Sequence, residues 1–185
     1  MKKSDKYGKI ARKLGYRSRT AIKLKQINEK FNLIKKNTNV LDLGCVPGGT
    51  LKYFQEHTKG EIVGVDIREI KPIKKIKFIK KSVFKLDIKD KFDLIFSDMG
   101  PIPKNEQIMD LNKLFKLVNE AIKITNKNLK KNGNFVCKVF MDKRLKEILQ
   151  KLKQFEKIEI FKPEASRNNS KETYIIALNK NFEIL

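Results

Sequence analysis

Two lysines in this 185-residue chain occupy positions where a simple counter-charge would not be expected. Lys138 interrupts the apolar run Phe135-Val136-Cys137-Lys138-Val139-Phe140, and Lys23 lies on the same helix face as Ile27. Burying an unpaired ammonium is costly, so a lysine in such a place is expected to be paired or neutral. One outcome is that Lys138 snorkels to the end of its strand and pairs with Asp98 of Phe96-Ser97-Asp98-Met99. The other is chemical work, because a neutral amine beside a carboxylate can accept a proton from a hydroxyl.

A second constellation points to a bound nucleoside. Leu43-Gly44-Cys45-Val46-Pro47-Gly48-Gly49-Thr50 follows an apolar strand and runs into a helix. Glycines there let the backbone turn tightly and lie against a ligand, and the helix start offers free N–H groups. Eighteen positions after Gly48 the next strand closes on Asp66, whose carboxylate can accept both hydroxyls of a ribose. The loop lacks the G-x-G-x-x-G spacing of dinucleotide sites, which disfavours a nicotinamide-dependent reductase. It also lacks the Gly-Lys-Ser/Thr of a P-loop.

The elements that must position these residues follow from periodicity. A helix is expected at about 18–34, where Ile22, Ile27, Phe31 and Ile34 recur at helical spacing. Short apolar strands at 40–43, 61–66, 76–79, 92–98, 133–140, 158–161 and 173–178 then alternate with helices at 50–58, 107–129 and 143–154. Asn132-Gly133 reads as the stop after the long helix. Seven such strands imply an α/β fold with a mainly parallel sheet covered by helices on both faces. Ligands in such sheets bind beyond the carboxyl ends of the strands, where Gly44, Asp66 and Asp98 fall.

The glycine loop with Asp42 before it and Asp66 after it resembles S-adenosylmethionine-dependent methyltransferases. Four segments in order sharpen this: Arg17-Ser-Arg-Thr-Ala-Ile-Lys23-Leu, Ser97-Asp98-Met99, Cys137-Lys138-Val139-Phe140 and Ser170-Lys-Glu172-Thr-Tyr174. Together they resemble the FtsJ/RrmJ (RlmE) family of RNA ribose 2′-O-methyltransferases, from about residue 16 to residue 178. The resemblance implies a Rossmann-like class I methyltransferase fold and a catalytic Lys23–Asp98–Lys138–Glu172 tetrad. It implies S-adenosylmethionine as cofactor, held by Gly44, Gly48, Thr50, Asp66 and Asp98. Where the family commonly has an acid at the adenine edge, the spacing offers Ser82, with Asp87 as the alternative. Thr50 replaces the usual aromatic after the glycines, and Gly100-Pro101-Ile102 replaces Ala-Pro-Asn. The expected target is a uridine of large-subunit ribosomal RNA. A transfer RNA anticodon loop and a non-catalytic ribosome assembly factor are the competing readings. A factor that only binds RNA has no need of a buried lysine.

Charge agrees with a polyanionic partner. Lys plus Arg number 43 against 21 Asp plus Glu, a net charge of +22 spread along the whole chain. Composition or heat adaptation can also enrich lysine, so not every cation is assigned to RNA. Arg17, Arg19, Lys71, Lys74, Lys75 and Arg167 are the RNA-binding candidates, with no role for DNA. At 40% hydrophobic the chain carries a sizeable core. No stretch approaches the roughly 20 apolar residues that span a bilayer, so no membrane is expected. One histidine and two distant cysteines, Cys45 and Cys137, offer no metal spacing and read as buried free thiols of a cytoplasmic protein. Residues 1–16 read as a flexible or RNA-ordered basic arm, and 17–185 as one domain, expected to be a monomer.

Overall fold

The computed structural model describes residues 5–100, 110–167 and 170–181. Helices α1 (Lys6–Lys13) and α2 (Thr20–Phe31) lead into strand β1 (Val40–Leu43) and helix α3 (Gly49–His57). Strands β2 (Ile62–Asp66), β3 (Lys77–Lys80) and β4 (Phe92–Ser97) follow, then helix α4 (Leu111–Asn128). The chain closes with β5 (Leu129–Phe140), α5 (Leu145–Gln150), β6 (Phe155–Phe161) and β7 (Glu172–Lys180). The strands form one seven-stranded sheet in the order β3-β2-β1-β4-β5-β7-β6. The first five are parallel, and β7 runs antiparallel between β5 and β6. The expected α/β architecture with a mainly parallel sheet is what the chain adopts.

Alternation along each strand splits the core into two layers. On one face Leu41, Val65, Ile95, Phe135, Cys137 and Ile175 pack under Leu114, Val118, Ala121 and Ile122 of α4 and Ile148 of α5. On the other, Val40, Leu94, Phe96, Val136, Tyr174 and Ile176 meet Ala11 of α1, Leu24 and Ile27 of α2, and Leu51 and Phe54 of α3. Phe54 sits edge-on to Phe96 at 6.0 Å between centroids. Lys138 shares its side of β5 with Val136, so it emerges on the α2 side. Cys45 and Cys137 are buried free thiols. Among the described residues, no helix is long and apolar enough to cross a membrane.

Three expectations about elements change. Residues 6–13, expected as a flexible or RNA-ordered arm, form a helix: the Asp5 carboxylate caps the Gly8 N–H at 3.0 Å, and Ala11 is buried in the core layer that includes α2. Asn132-Gly133 does not end a helix. Asn132 takes a left-handed φ of 58°, and the segment between Leu129 and Asn134 bulges out while staying in β5. The helix expected at 143–154 shortens to α5, because Asp142 turns the chain before it and i→i+3 bonds at Lys151 and Leu152 tighten its end.

Candidate active site

The carboxyl ends of β1, β2 and β4 open onto a cavity of about 590 Å³. Strand order reverses between β1 and β4, which is where an open α/β sheet forms a crevice. Gly44 holds φ 83° at the end of β1, and a Cβ there would come within 2.8 Å of Met99 Cγ. Only glycine lets this turn close so tightly against the segment leaving β4. Asp66 ends β2 on the cavity wall; its Oδ2 accepts from the Val46 N–H at 3.1 Å and its Oδ1 from the Arg68 N–H at 3.0 Å. Arg68 Nε also donates to Oδ1 at 3.4 Å, so it is Oδ2 that keeps a lone pair for a further donor. Ile67 and Phe84, 51% and 54% exposed, line the cavity beside it as two apolar surfaces.

Ser82 also lines the cavity, whereas Asp87 lies outside its wall, 72% exposed in its side chain and paired with Lys127 at 2.8 Å. Gly48 and Thr50 do not line it. Gly48 caps α3 at φ 95° next to Arg17 and Ile73, and Thr50 is buried and donates to Asp42 Oδ2. Asp42 is fully buried, and among the described residues its Oδ1 has no hydrogen-bond partner. Burial, reinforced by the carboxylates of Asp98 and Asp66, pushes the Asp42 carboxyl up to about 8 against the pull of the Thr50 bond.

The four tetrad positions come together at the end of β4, β5 and β7, under the start of α2. Lys138 Nζ donates to the Asp98 carbonyl at 2.8 Å and lies 3.4 Å from Asp98 Oδ1. Lys23 Nζ pairs with Glu172 Oε1, which also accepts from Ser166 Oγ at 3.3 Å. Lys138 and Asp98 reach the cavity wall, while Lys23 and Glu172 stand outside it. Two further residues complete the group. Tyr174 is wholly buried opposite Lys138 in the β5–β7 ladder and donates to Asp98 Oδ1 at 2.6 Å, with Lys23 Nζ 5.8 Å from its ring centroid. Thr20, the first residue of α2, donates to Asp98 Oδ2 at 2.9 Å.

Burial alone would raise the Asp98 carboxyl. Lys138, Lys23 and the bonds from Tyr174 and Thr20 outweigh it and hold the carboxyl below its ordinary value. Burial and the neighbouring Asp98 and Glu172 carboxylates drive the Tyr174 phenol well above its own. The site is therefore two ion pairs, Lys138–Asp98 and Lys23–Glu172, bridged by a phenol that stays a hydrogen-bond donor. Sequence reasoning passed over Tyr174, although its position two residues after Glu172 puts both on one face of a strand. Thr20 and Ser166 left no signal of that kind, because only folding brings them to their partners.

The basic candidates divide. Arg17 donates to the Lys71 carbonyl at 3.0 Å, tying the start of α2 to the segment after Asp66. Lys71, Lys74 and Lys75 are exposed, and among the described residues no carboxylate lies within 4.0 Å of them. Their neighbours Lys77 and Lys80 are paired with Asp90 and Glu69. Arg19 pairs with Asp5 at 3.2 Å, and Arg167 is exposed next to the Ser166 turn.

The sequence model of the FtsJ-like methyltransferase family matches residues 16–180. A Methanocaldococcus jannaschii protein named ribosomal RNA large subunit methyltransferase E is 39% identical over 192 residues, covering 95% of this chain and 78% of the relative. A Francisella tularensis protein of the same name is 37% identical over 188 residues, covering 94% of this chain and 90% of the relative. In fold, the chain superposes on a crystal structure from Plasmodium falciparum described as a ribosomal RNA methyltransferase. That match has a TM-score of 0.77 at 24% identity, covering 89% of this chain and 98% of the other. With its cavity at the switch point and matches spanning nearly its whole length, the chain belongs to the FtsJ-like methyltransferase family.

Proposed function

We propose that this chain transfers a methyl group from S-adenosylmethionine to a ribose 2′-hydroxyl of RNA, with a uridine of large-subunit ribosomal RNA as the target. The reading rests above all on one arrangement. Lys138, anchored on Asp98, reaches the wall of the same cavity that holds Asp66 and Ser82.

The cavity suits the cofactor. Its volume lies within the roughly 300–1,000 Å³ usual for small-molecule sites. Asp66 is a buried carboxylate whose Oδ2 keeps a lone pair for a ribose hydroxyl and whose Oδ1 is held by Arg68. Ile67 and Phe84 offer apolar sides for a purine, and Ser82 offers a hydroxyl for its edge. When bound there, S-adenosylmethionine supplies a methyl group already activated by its sulfonium.

What remains for the protein is alignment and one proton. Asp98, kept ionised by its two cations and two hydroxyl donors, fixes Lys138 Nζ through both its carbonyl and its carboxylate. In its neutral form Nζ takes the proton from the 2′-hydroxyl as that oxygen attacks. Lys23 of α2 and Glu172, both largely buried and the latter also held by Ser166, position the target ribose. Arg17, Lys71, Lys74, Lys75 and Arg167 meet the flanking phosphates. The proteins of 37–39% identity named for large-subunit ribosomal RNA support that substrate.

The test is to incubate the protein with tritiated S-adenosylmethionine and, separately, isolated ribosomal subunits, intact ribosomes and bulk transfer RNA. Label entering large-subunit RNA alone supports the proposal. Label entering transfer RNA alone replaces the substrate, and no label in any RNA overturns the activity.

A further inference from the structure

Helix α1 is a short helix with an unfavourable charge pattern. Lys6, Lys9 and Lys13 recur along one side, Arg12 flanks them, and no acidic residue lies within the helix. Like charges three and four apart repel and weaken a helix that stands alone. The opposite side explains why it holds. Ala11 and Gly8 are buried, the Tyr7 hydroxyl donates to Glu164 Oε2 at 3.1 Å, and Asp5 pairs with Arg19. Beyond its end, Tyr16 donates to Glu56 at 2.6 Å and Lys52 Nζ to the Gly15 carbonyl at 3.0 Å.

The result is a cationic ridge anchored to the body of the fold, its lysines facing solvent and, among the described residues, without a carboxylate within 4.0 Å. Lys6 to Lys13 spans about 10 Å at the α-helical rise, enough to meet two or three successive phosphates. The ridge is also joined to the tetrad. Glu164, which holds Tyr7, lies in the turn whose Ser166 donates to Glu172 and whose Ala165 N–H donates to Gln26 of α2.

We infer that the outer face of α1 is a docking surface for the phosphate backbone of structured RNA, placed to grip the strand away from the target ribose. The inference rests on the RNA reading above and adds to it a surface that neither tetrad nor cavity contains. The partner is a polyanion read by shape and charge, since the ridge is built of exposed cations spaced along one helix face.

The experiment measures binding of a fluorescently labelled RNA hairpin of about 20 base pairs across a potassium chloride series. The parent is compared with a Lys6→Gln/Lys9→Gln/Lys13→Gln variant. A control variant, Lys123→Gln/Lys146→Gln/Lys153→Gln, removes equal charge from the side of the sheet covered by α4 and α5. The expected result is a fall of roughly tenfold or more in affinity and a salt dependence shallower by about two to three units for the α1 variant alone. S-adenosylhomocysteine binding should be unchanged. Equal effects of the two triple variants, or none from α1, overturn the ridge while leaving RNA binding intact. A parent protein that does not bind the hairpin at any salt overturns the RNA reading itself.

Discussion

Tyr174 gives its phenolic hydrogen to Asp98 Oδ1 across 2.6 Å, from a fully buried position directly opposite Lys138 in the β5–β7 ladder. That one contact links the antiparallel strand to the carboxylate at the centre of the site. Tyr174→Phe removes one of the two hydroxyl donors to Asp98 and should cost about 1–3 kcal/mol. Because the Asp98 carboxyl is held low in the folded chain, its contribution is present above the unfolded value near 4. It is lost as pH falls through the folded value. Denaturant unfolding should therefore show the largest deficit for the variant near pH 7, shrinking below about pH 4. A deficit of equal size at both pH values would separate Tyr174 from Asp98.

Lys138→Ala should lower turnover by about 10²–10⁴, the usual weight of a positioned acid–base group. Affinity for S-adenosylhomocysteine, measured by calorimetry, should stay within a few-fold, because Asp66, Ser82 and the apolar cavity walls are untouched. Retained turnover would remove Lys138 from the chemistry.

Spacing offers Ser82 at the adenine edge with Asp87 as the alternative, and folding separates them. Ser82→Ala should weaken S-adenosylhomocysteine binding about fivefold, for the loss of roughly 1 kcal/mol of hydrogen bonding. Asp87→Ala should leave it unchanged, since that carboxylate faces solvent and Lys127. The reverse pattern would mean that the loop between β3 and β4 rearranges on binding.

Much of this site was legible because strand ends carry it. Lys138 stood out as a charge in an apolar run, and Asp66 and Asp98 close their strands where the alternation of strands and helices predicts a crevice. What stayed hidden depends on packing across the sheet. Thr20 reaches Asp98 from a helix 78 positions away, and Ser166 reaches Glu172 from a turn with no pattern of its own. The family resemblance implies Thr50 as a cofactor contact, yet its hydroxyl turns inward to Asp42. The basic N-terminal stretch reads as a flexible or RNA-ordered arm because its charges mask an apolar anchor, buried Ala11 and Tyr16 with Tyr7 and Ile10 packed alongside.

Asp42 makes its own prediction. Its carboxyl titrates at about 8 in the folded chain and near 4 when unfolded, so the folded form binds the extra proton in between. Stability then falls as pH rises from about 4 to about 8. Asp42→Asn lacks that titration, so its melting temperature relative to the parent should improve steadily between pH 5 and pH 8. A pH-independent difference would show that Asp42 is ionised in the fold.

The most direct measurement concerns the atom that receives the methyl group. A 2′-O-methyl blocks alkaline cleavage of the adjoining phosphodiester, because the hydroxyl that attacks the phosphate is gone. Large-subunit RNA labelled by this protein with tritiated S-adenosylmethionine should release its label, after complete alkaline hydrolysis, in alkali-resistant dinucleotides. Label recovered in mononucleotides would place the methyl on a base and contradict the role assigned to Lys138, Asp98, Lys23 and Glu172.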